Sequence, residues 1–210
     1  MIAKNLLRIL KSYRFHLINI ILFEFKYWVK GFRGNKFDIY NHDIMSDNIP
    51  CPYYFLHKIK KKLNSLSFDV FIDLGCGSGR VIDFFNKTLS KKVFYGVEFY
   101  EKQYNYCKKL FKNDNNIEII NDDFFNIDIL KLNADCFFLN HPIRSEELLG
   151  KIVSKILAFA DKKKIYIIFV NCNKSTLDKF KKLYCIEEFY INDNRGYSIY
   201  CNFNGKLSNE

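Results

Sequence analysis

A short apolar run followed by three glycines constrains the fold of this chain more than any other feature. Phe68–Leu74 has the length and flanks of a buried parallel strand. Gly75, Gly77 and Gly79 follow at once, and glycine lets the backbone turn sharply and approach a ligand closely because it has no Cβ. Arg80–Leu89 then has helical spacing. This order predicts a ligand site at the carboxyl end of the strand.

The rest of the chain continues the alternation of strands and helices. Further strands are predicted at Val93–Val97, Ile117–Asn121, Ala134–Leu139 and Lys164–Val170, and helices at Tyr100–Phe111, Glu146–Phe159 and Ser175–Leu183. Such alternation predicts an α/β fold, a mostly parallel sheet with helices on both faces. Cys185–Ile191 and Tyr197–Phe203 end the chain as an antiparallel hairpin, in whose loop Gly196 suits a positive φ.

The residues before this alternation are predicted to form a helical arm over 1–65, with the second domain over 66–210. Residues 3–30 read as one helix, ended by Gly31 and Gly34.

A second arm helix is predicted from Tyr53 to Asn64. The uncharged stretch Phe15–Phe23 lacks a small-residue cleavage site, and it is shorter than the ~20 residues that span a bilayer. We therefore expect an arm that packs on the domain as a lid. Peripheral membrane contact through residues 3–30 is the alternative.

Composition narrows the function classes only in part. The net charge of +10 would suit a polyanion, but the lysines are scattered, so nucleic acid is a possible partner that the pattern does not favour. Seven cysteines without a CxxC pair predict neither a zinc site nor a disulfide framework, and no metal is expected. This cysteine usage fits a reducing, cytoplasmic location.

Two carboxylates frame the glycine loop. Asp73 stands two residues before the first glycine. Glu98 closes the second predicted strand about 20 residues after the loop, which is where an acid that hydrogen-bonds ribose hydroxyls is expected. Strand, loop, helix, strand and acid in this register predict a nucleoside-containing ligand.

The segment Asp73-Leu74-Gly75-Cys76-Gly77-Ser78-Gly79 is similar to motif I of class I S-adenosylmethionine-dependent methyltransferases. The acid before the first glycine, and Arg80 where a nicotinamide-binding motif has glycine, distinguish it from a dehydrogenase. The resemblance covers roughly residues 66–203. It implies a Rossmann-like, seven-stranded sheet and S-adenosylmethionine as the cofactor, held at the loop by Asp73, Gly75, Cys76, Gly77 and Gly79.

The same resemblance assigns the other cofactor contacts. Glu98 would bind the ribose, and Phe99 would lie near the adenine. Asp123 would accept a hydrogen bond from the adenine amino group while the backbone amide of Phe124 donates to the ring, with Asp122 as the alternative carboxylate.

The fourth strand is followed by Asn140-His141-Pro142-Ile143, and the corresponding segment in the family lies beside the methyl group. We assign Asn140 to the cofactor site and, as a group that orients the acceptor, to catalysis. His141 is the candidate general base, because a near-neutral imidazole can take the acceptor's proton. Arg80 is expected to pair with an acidic neighbour.

The layout resembles small bacterial methyltransferases of the polysaccharide-biosynthesis and lysine-methyltransferase-like groups. Their fourth motif resembles Asn-Pro-Phe, so His141 is an insertion here and the aromatic residue is missing. The predicted function is methyl transfer to an unidentified small molecule, glycan or protein side chain. The alternatives are a nucleic-acid methyltransferase and a methyltransferase-like binding protein without catalysis.

Overall fold

The computed structural model of this chain describes residues 16–36, 49–141, 143, 145–160 and 163–203. They form a seven-stranded sheet, with strands β1 Val70–Leu74, β2 Val93–Glu98, β3 Ile117–Asn121, β4 Cys136–Asn140, β5 Tyr166–Val170, β6 Tyr184–Asn192 and β7 Arg195–Cys201. The strand order is β3-β2-β1-β4-β5-β7-β6. Neighbouring strands are parallel from β3 to β5, and β7 is antiparallel to both β5 and β6. The predicted α/β sheet with a terminal antiparallel hairpin is confirmed.

Helices cover both faces of the sheet. They are α1 Leu17–Val29, α2 Tyr53–Leu63, α3 Arg80–Thr88, α4 Glu101–Leu110, α5 Ile129–Leu132, α6 Glu146–Ala160 and α7 Lys174–Leu177. Successive residues of a strand point to opposite faces, so Phe71 and Ile72 of β1 enter two different apolar clusters. The first cluster contains the buried apolar side chains of α1 to α4, and the second contains those of α5 to α7.

The arm packs into the first cluster. Tyr27 of α1 lies 5.1 Å from Phe84 of α3 between ring centroids, and six residues of α2 are buried. After α1, Arg33 donates to the fully buried Asp83 at 2.6 Å. The N-terminal half of the predicted helix 3–30 lies outside the described residues. The domain boundary at residue 65 stays a prediction.

Two local predictions were wrong. The helix expected over Ser175–Leu183 is limited to α7, and single turns follow it. These turns return the chain to β6 and leave both Leu177 and Leu183 buried, whereas on a continuous helix the two side chains would point about 120° apart. Gly196 does not have a positive φ. It belongs to β7, and glycine is required there because a Cβ would collide with the carbonyl oxygen of Phe189 on β6.

The contact between the arm and the glycine loop gives a stability prediction. Gly31 and Gly34 have φ values of +70° and +77°, and a Cβ would meet open space at Gly31 but would lie 2.6 Å from Arg80 Cα at Gly34. Gly31→Ala should therefore lower the free energy of unfolding by ~1 kcal/mol, the cost of left-handed backbone alone. Gly34→Ala should cost about 2 kcal/mol more, because overpacking adds to the strain. Urea unfolding of both variants measures the difference, and equal losses would contradict the packing of the arm on the loop.

Candidate ligand site at the carboxyl edge of the sheet

The sheet register brings the polar ends of three strands to one edge. Gly96 of β2 and Phe138 of β4 both pair with Asp73 of β1, which lies between them. Glu98 and Asn140 each come two residues later on their strands. The two side chains therefore lie at the same level of the edge, on either side of the residue that follows β1.

The glycine loop adopts the backbone that its sequence predicts. Gly75, Gly77 and Gly79 have φ values of +84°, +54° and +81°, where a side chain would be strained. The N–H groups of Gly75 and Cys76 both donate to the carbonyl oxygen of Val97, at 2.9 and 3.0 Å. The loop is therefore tied to the end of β2.

The two thiols at the loop have structural contacts. Cys107 Sγ donates to the carbonyl oxygen of Gly77 at 3.0 Å. A hydrogen bond with Cys107, followed by burial, raises the pKa of the Cys76 thiol well above its usual range. The Cys76 thiol is therefore a neutral packing group, and the assignment of the Cys76 backbone to the cofactor site stays a prediction.

The carboxylate of Glu98 connects the glycine loop to the residue that precedes α4. Its Oε2 accepts from the N–H of Gly77 at 2.8 Å, and its Oε1 accepts from the N–H of Tyr100 at 2.9 Å. Burial raises the pKa of Glu98, and these backbone hydrogen bonds oppose the shift. Each carboxylate oxygen keeps a further lone pair, so Glu98 can still accept from a ligand hydroxyl.

Asp73 is a buried carboxyl at this edge with an unsatisfied oxygen. Its side chain is 2% exposed, and its Oδ2 finds no hydrogen-bond partner within the described part of the chain. Burial, and then the charge of Glu98, raises the pKa of Asp73 well above its usual range. A buried oxygen without a donor is costly in a folded protein, and a bound cationic or N–H donor would relieve that cost.

The carboxylates assigned to the adenine amino group, Asp122 and Asp123, follow β3. Asp122 Oδ1 accepts from the N–H of Asp123 at 2.7 Å, and Asp123 Oδ1 accepts from the N–H of Phe125 at 2.9 Å. The Phe124 side chain is buried in the second apolar cluster, whereas Phe99 is 48% exposed beside the edge. The two carboxylates therefore shape a turn, and Asp122 and Asp123 both remain candidates for the adenine contact.

The side chain of Asn140, at the end of β4, is held by hydrogen bonds at both its nitrogen and its oxygen. Asn140 Nδ2 donates to the carbonyl oxygen of Ile49 at 3.0 Å, and its Oδ1 accepts from Asn171 Nδ2 at 3.1 Å. His141 follows with an exposed side chain and φ +42°. Pro142 lies outside the described residues.

Sequence reasoning missed two asparagines that position site residues. Asn171 follows β5 with φ +55° and holds Asn140, and Asn121 donates to the carbonyl oxygens of Glu98 and Phe99 at 2.8 and 3.1 Å. Both stand at or just after the end of a strand, which is the signal that would have identified them.

The prediction for Arg80 is confirmed. Its Nη1 forms an ion pair with Glu24 of α1 at 2.9 Å, and its guanidinium lies 4.4 Å from the ring centroid of Tyr53. The first helical residue after the loop therefore connects the loop to the arm.

A seven-stranded sheet of this order, with its glycine loop after β1, has the Rossmann-like fold of class I methyltransferases. Residues 71–163 match a family model described as "Methyltransferase domain", and this match covers somewhat less than half of the chain. Family model and fold thus support the resemblance found in motif I. No curated protein matches the chain by sequence.

Solved structures share this fold at low sequence identity. The human methyltransferase 10 domain containing protein is 16% identical, with a TM-score of 0.54 over 75% of this chain and 88% of that one. Fibrillarin from Aeropyrum pernix, solved with S-adenosyl-L-methionine bound, is 15% identical, with a TM-score of 0.52 over 69% and 74%. An rRNA methylase from Streptococcus thermophilus is 13% identical, with a TM-score of 0.51 over 70% and 94%.

Proposed function

We propose that this chain binds S-adenosylmethionine at the carboxyl edge of the sheet and transfers its methyl group to an acceptor. The acceptor would be a small molecule, a glycan or a protein side chain. The observation that carries the proposal is the buried Asp73 carboxyl, whose Oδ2 finds no hydrogen-bond partner among the described residues, beside a glycine loop held by Glu98.

The residues at this edge fit the cofactor chemically. Asp73 offers a buried acceptor for the ammonium group of the cofactor's methionine part. Glu98 offers its remaining lone pairs to the ribose hydroxyls, and the exposed ring of Phe99 offers an apolar surface to the adenine. Asp123 with the backbone of Phe124 is proposed to recognise the adenine edge, with Asp122 as the alternative.

Bound S-adenosylmethionine would supply an electrophilic methyl group on a sulfonium, which is already an excellent leaving group. The chain then has two tasks: to align the acceptor and to remove its proton. Alignment converts a bimolecular step into an effectively unimolecular one, and Asn140 would contribute through the free lone pair of its Oδ1. His141, exposed at the end of β4, would take the proton.

Nucleic acid is the second candidate acceptor. The net charge of +10 favours it, because phosphate contacts by Lys and Arg provide most of the non-specific affinity for nucleic acid. The fold shared with an rRNA methylase is compatible with it. Binding of this kind weakens steeply as the salt concentration rises.

Transfer of a radioactive methyl group tests the proposal. Wild-type protein with labelled S-adenosylmethionine is expected to label one fraction of a cell extract separated into protein, nucleic acid, glycan and small molecules. If ribonuclease released the label, and if high salt prevented labelling, the acceptor would be RNA.

His141→Ala should lower the rate about 100-fold while S-adenosylhomocysteine affinity in calorimetry stays unchanged, because a general base acts on the acceptor. His57→Ala is the matched control, since this histidine is held by Tyr27 away from the site. Binding of cofactor without label in any fraction would favour the non-catalytic alternative. A protein that binds neither S-adenosylmethionine nor S-adenosylhomocysteine would contradict the proposal.

A further inference from the structure

Helix α1 carries two opposite apolar faces, and only one of them is packed. Ile20, Phe23 and Tyr27 contact the first apolar cluster. At 100° per residue, the opposite side of the helix holds six large apolar side chains, each 57–68% exposed: Ile18, Ile21, Leu22, Phe25, Trp28 and Val29. We call these six residues the outer face of α1. A contiguous exposed face of this kind marks an interaction site.

The charge of the sequence around α1 indicates what the outer face contacts. The first 36 residues contain one acid, Glu24, which is paired with Arg80. The same stretch contains the basic residues Lys4, Arg8, Lys11, Arg14, Lys26, Lys30, Arg33 and Lys36. Arg33 is paired with Asp83 and Asp114, and the other basic residues make this part of the sequence strongly cationic. Exposed apolar side chains on a cationic segment match an anionic surface with an apolar interior.

We propose that the outer face of α1 docks on the surface of an anionic lipid bilayer. A helix lying in the interface buries its apolar side chains at the level of the headgroups, and nearby basic residues bind the anionic lipids. Trp28 and Phe25 suit this depth, because aromatic rings concentrate at membrane interfaces. A second copy of this chain is disfavoured as the occupant, since two chains of net charge +10 repel each other.

The helix would lie on the bilayer and not cross it. α1 has 13 residues, whereas a span needs about 20. None of the helices in the described ranges has the length and hydropathy of a membrane span. The proposal is independent of methyl transfer, because no residue of the outer face is assigned to the cofactor.

Trp28 makes the proposal directly testable, because it is the only tryptophan in the chain. Its emission should be that of an exposed indole in buffer. Vesicles of phosphatidylglycerol and phosphatidylcholine should shift the emission to shorter wavelength, and brominated acyl chains should quench it. Vesicles of phosphatidylcholine alone, or high salt, should weaken both effects because the basic residues then lose their partners.

A double variant separates the outer face from the general charge. Ile21→Ser/Leu22→Ser keeps Trp28 and every basic residue, and it should lower the vesicle partition coefficient at least ~10-fold through lost apolar burial. Val93→Ser/Tyr184→Ser removes two exposed apolar side chains elsewhere and should leave partitioning unchanged. Both variants should retain wild-type S-adenosylhomocysteine affinity, which keeps this test separate from the proposed function.

Three results would overturn the proposal. Equal partitioning of the wild type and the Ile21/Leu22 variant would show that the outer face is not used. Emission that is already at short wavelength without lipid would mean that another segment of the chain covers the face. A shift that follows protein concentration instead of lipid, together with a dimer in sedimentation, would identify a second copy as the occupant.

Discussion

Glu98→Ala is expected to lower the affinity for S-adenosylhomocysteine ~1,000-fold in calorimetric titration. The substitution removes the acceptor for the N–H groups of Gly77 and Tyr100, so Gly77 and the start of α4 lose their common partner, while the bonds of Gly75 and Cys76 to Val97 remain. It also removes the proposed acceptor of the ribose hydroxyls. Hydrogen bonds to a charged group contribute about 1.5–3 kcal/mol each, and three of them account for the expected loss.

Two further variants make this result specific. Glu98→Gln keeps the length of the side chain and one carbonyl oxygen, so an intermediate loss is expected. Glu118→Ala removes an exposed carboxylate from the neighbouring strand β3 and should bind like the wild type. An affinity of Glu98→Ala within about threefold of the wild type would remove Glu98 from the site.

Asp73→Asn is expected to stabilise the unliganded protein at neutral pH while it weakens cofactor binding. The Asp73 carboxyl is buried, and its raised pKa means that the folded state prefers the neutral form. Asparagine has nearly the same shape and never ionises. The wild type must either ionise a buried carboxyl or take up a proton at neutral pH, and asparagine avoids both, so the gain should be about 1–3 kcal/mol. For a chain of this size, each kcal/mol corresponds to a melting temperature about 2–4 °C higher.

The pH dependence follows from the direction of this shift. A carboxyl whose pKa is higher in the folded state contributes full stability below its unfolded pKa of about 3.9, and loses it as the pH rises through the folded value. The stability difference between Asp73→Asn and the wild type should therefore be near zero at about pH 4 and grow toward neutral pH. Thermal unfolding across that range measures the difference.

The affinity for the cofactor should fall, although the stability of the unliganded protein rises. Asparagine cannot ionise when the ammonium group binds, whereas Asp73 can, so S-adenosylhomocysteine should bind to Asp73→Asn ~100-fold more weakly. Asp69→Asn is the control, because Asp69 immediately precedes β1 and its side chain is exposed. A stability difference that does not vary with pH would show that Asp73 is not the titrating group. A variant that binds as tightly as the wild type would contradict its proposed role.

The amino-acid sequence predicts the seven strands in chain order and the loop between β1 and α3, but not the short helix α5. Apolar runs such as Tyr166–Val170 are buried on both faces, so their composition alone predicts central strands of a covered sheet. The glycines of the loop are predictable because only glycine tolerates their backbone angles. The spacing from the loop to Glu98 is predictable because one helix and one strand separate them.

The partners of these residues depend on how distant segments of the chain pack together. Arg80 was expected to meet an acid, but only packing of the arm selected Glu24. Asn171 holds Asn140 because β4 and β5 are neighbours in the sheet, and Gly196 is required by its distance to β6. The outer face of α1 is exposed because Phe23 and Tyr27 occupy the side that faces the domain. Local propensity depends on neighbours in the chain, whereas these contacts depend on segments that only the folded sheet brings together.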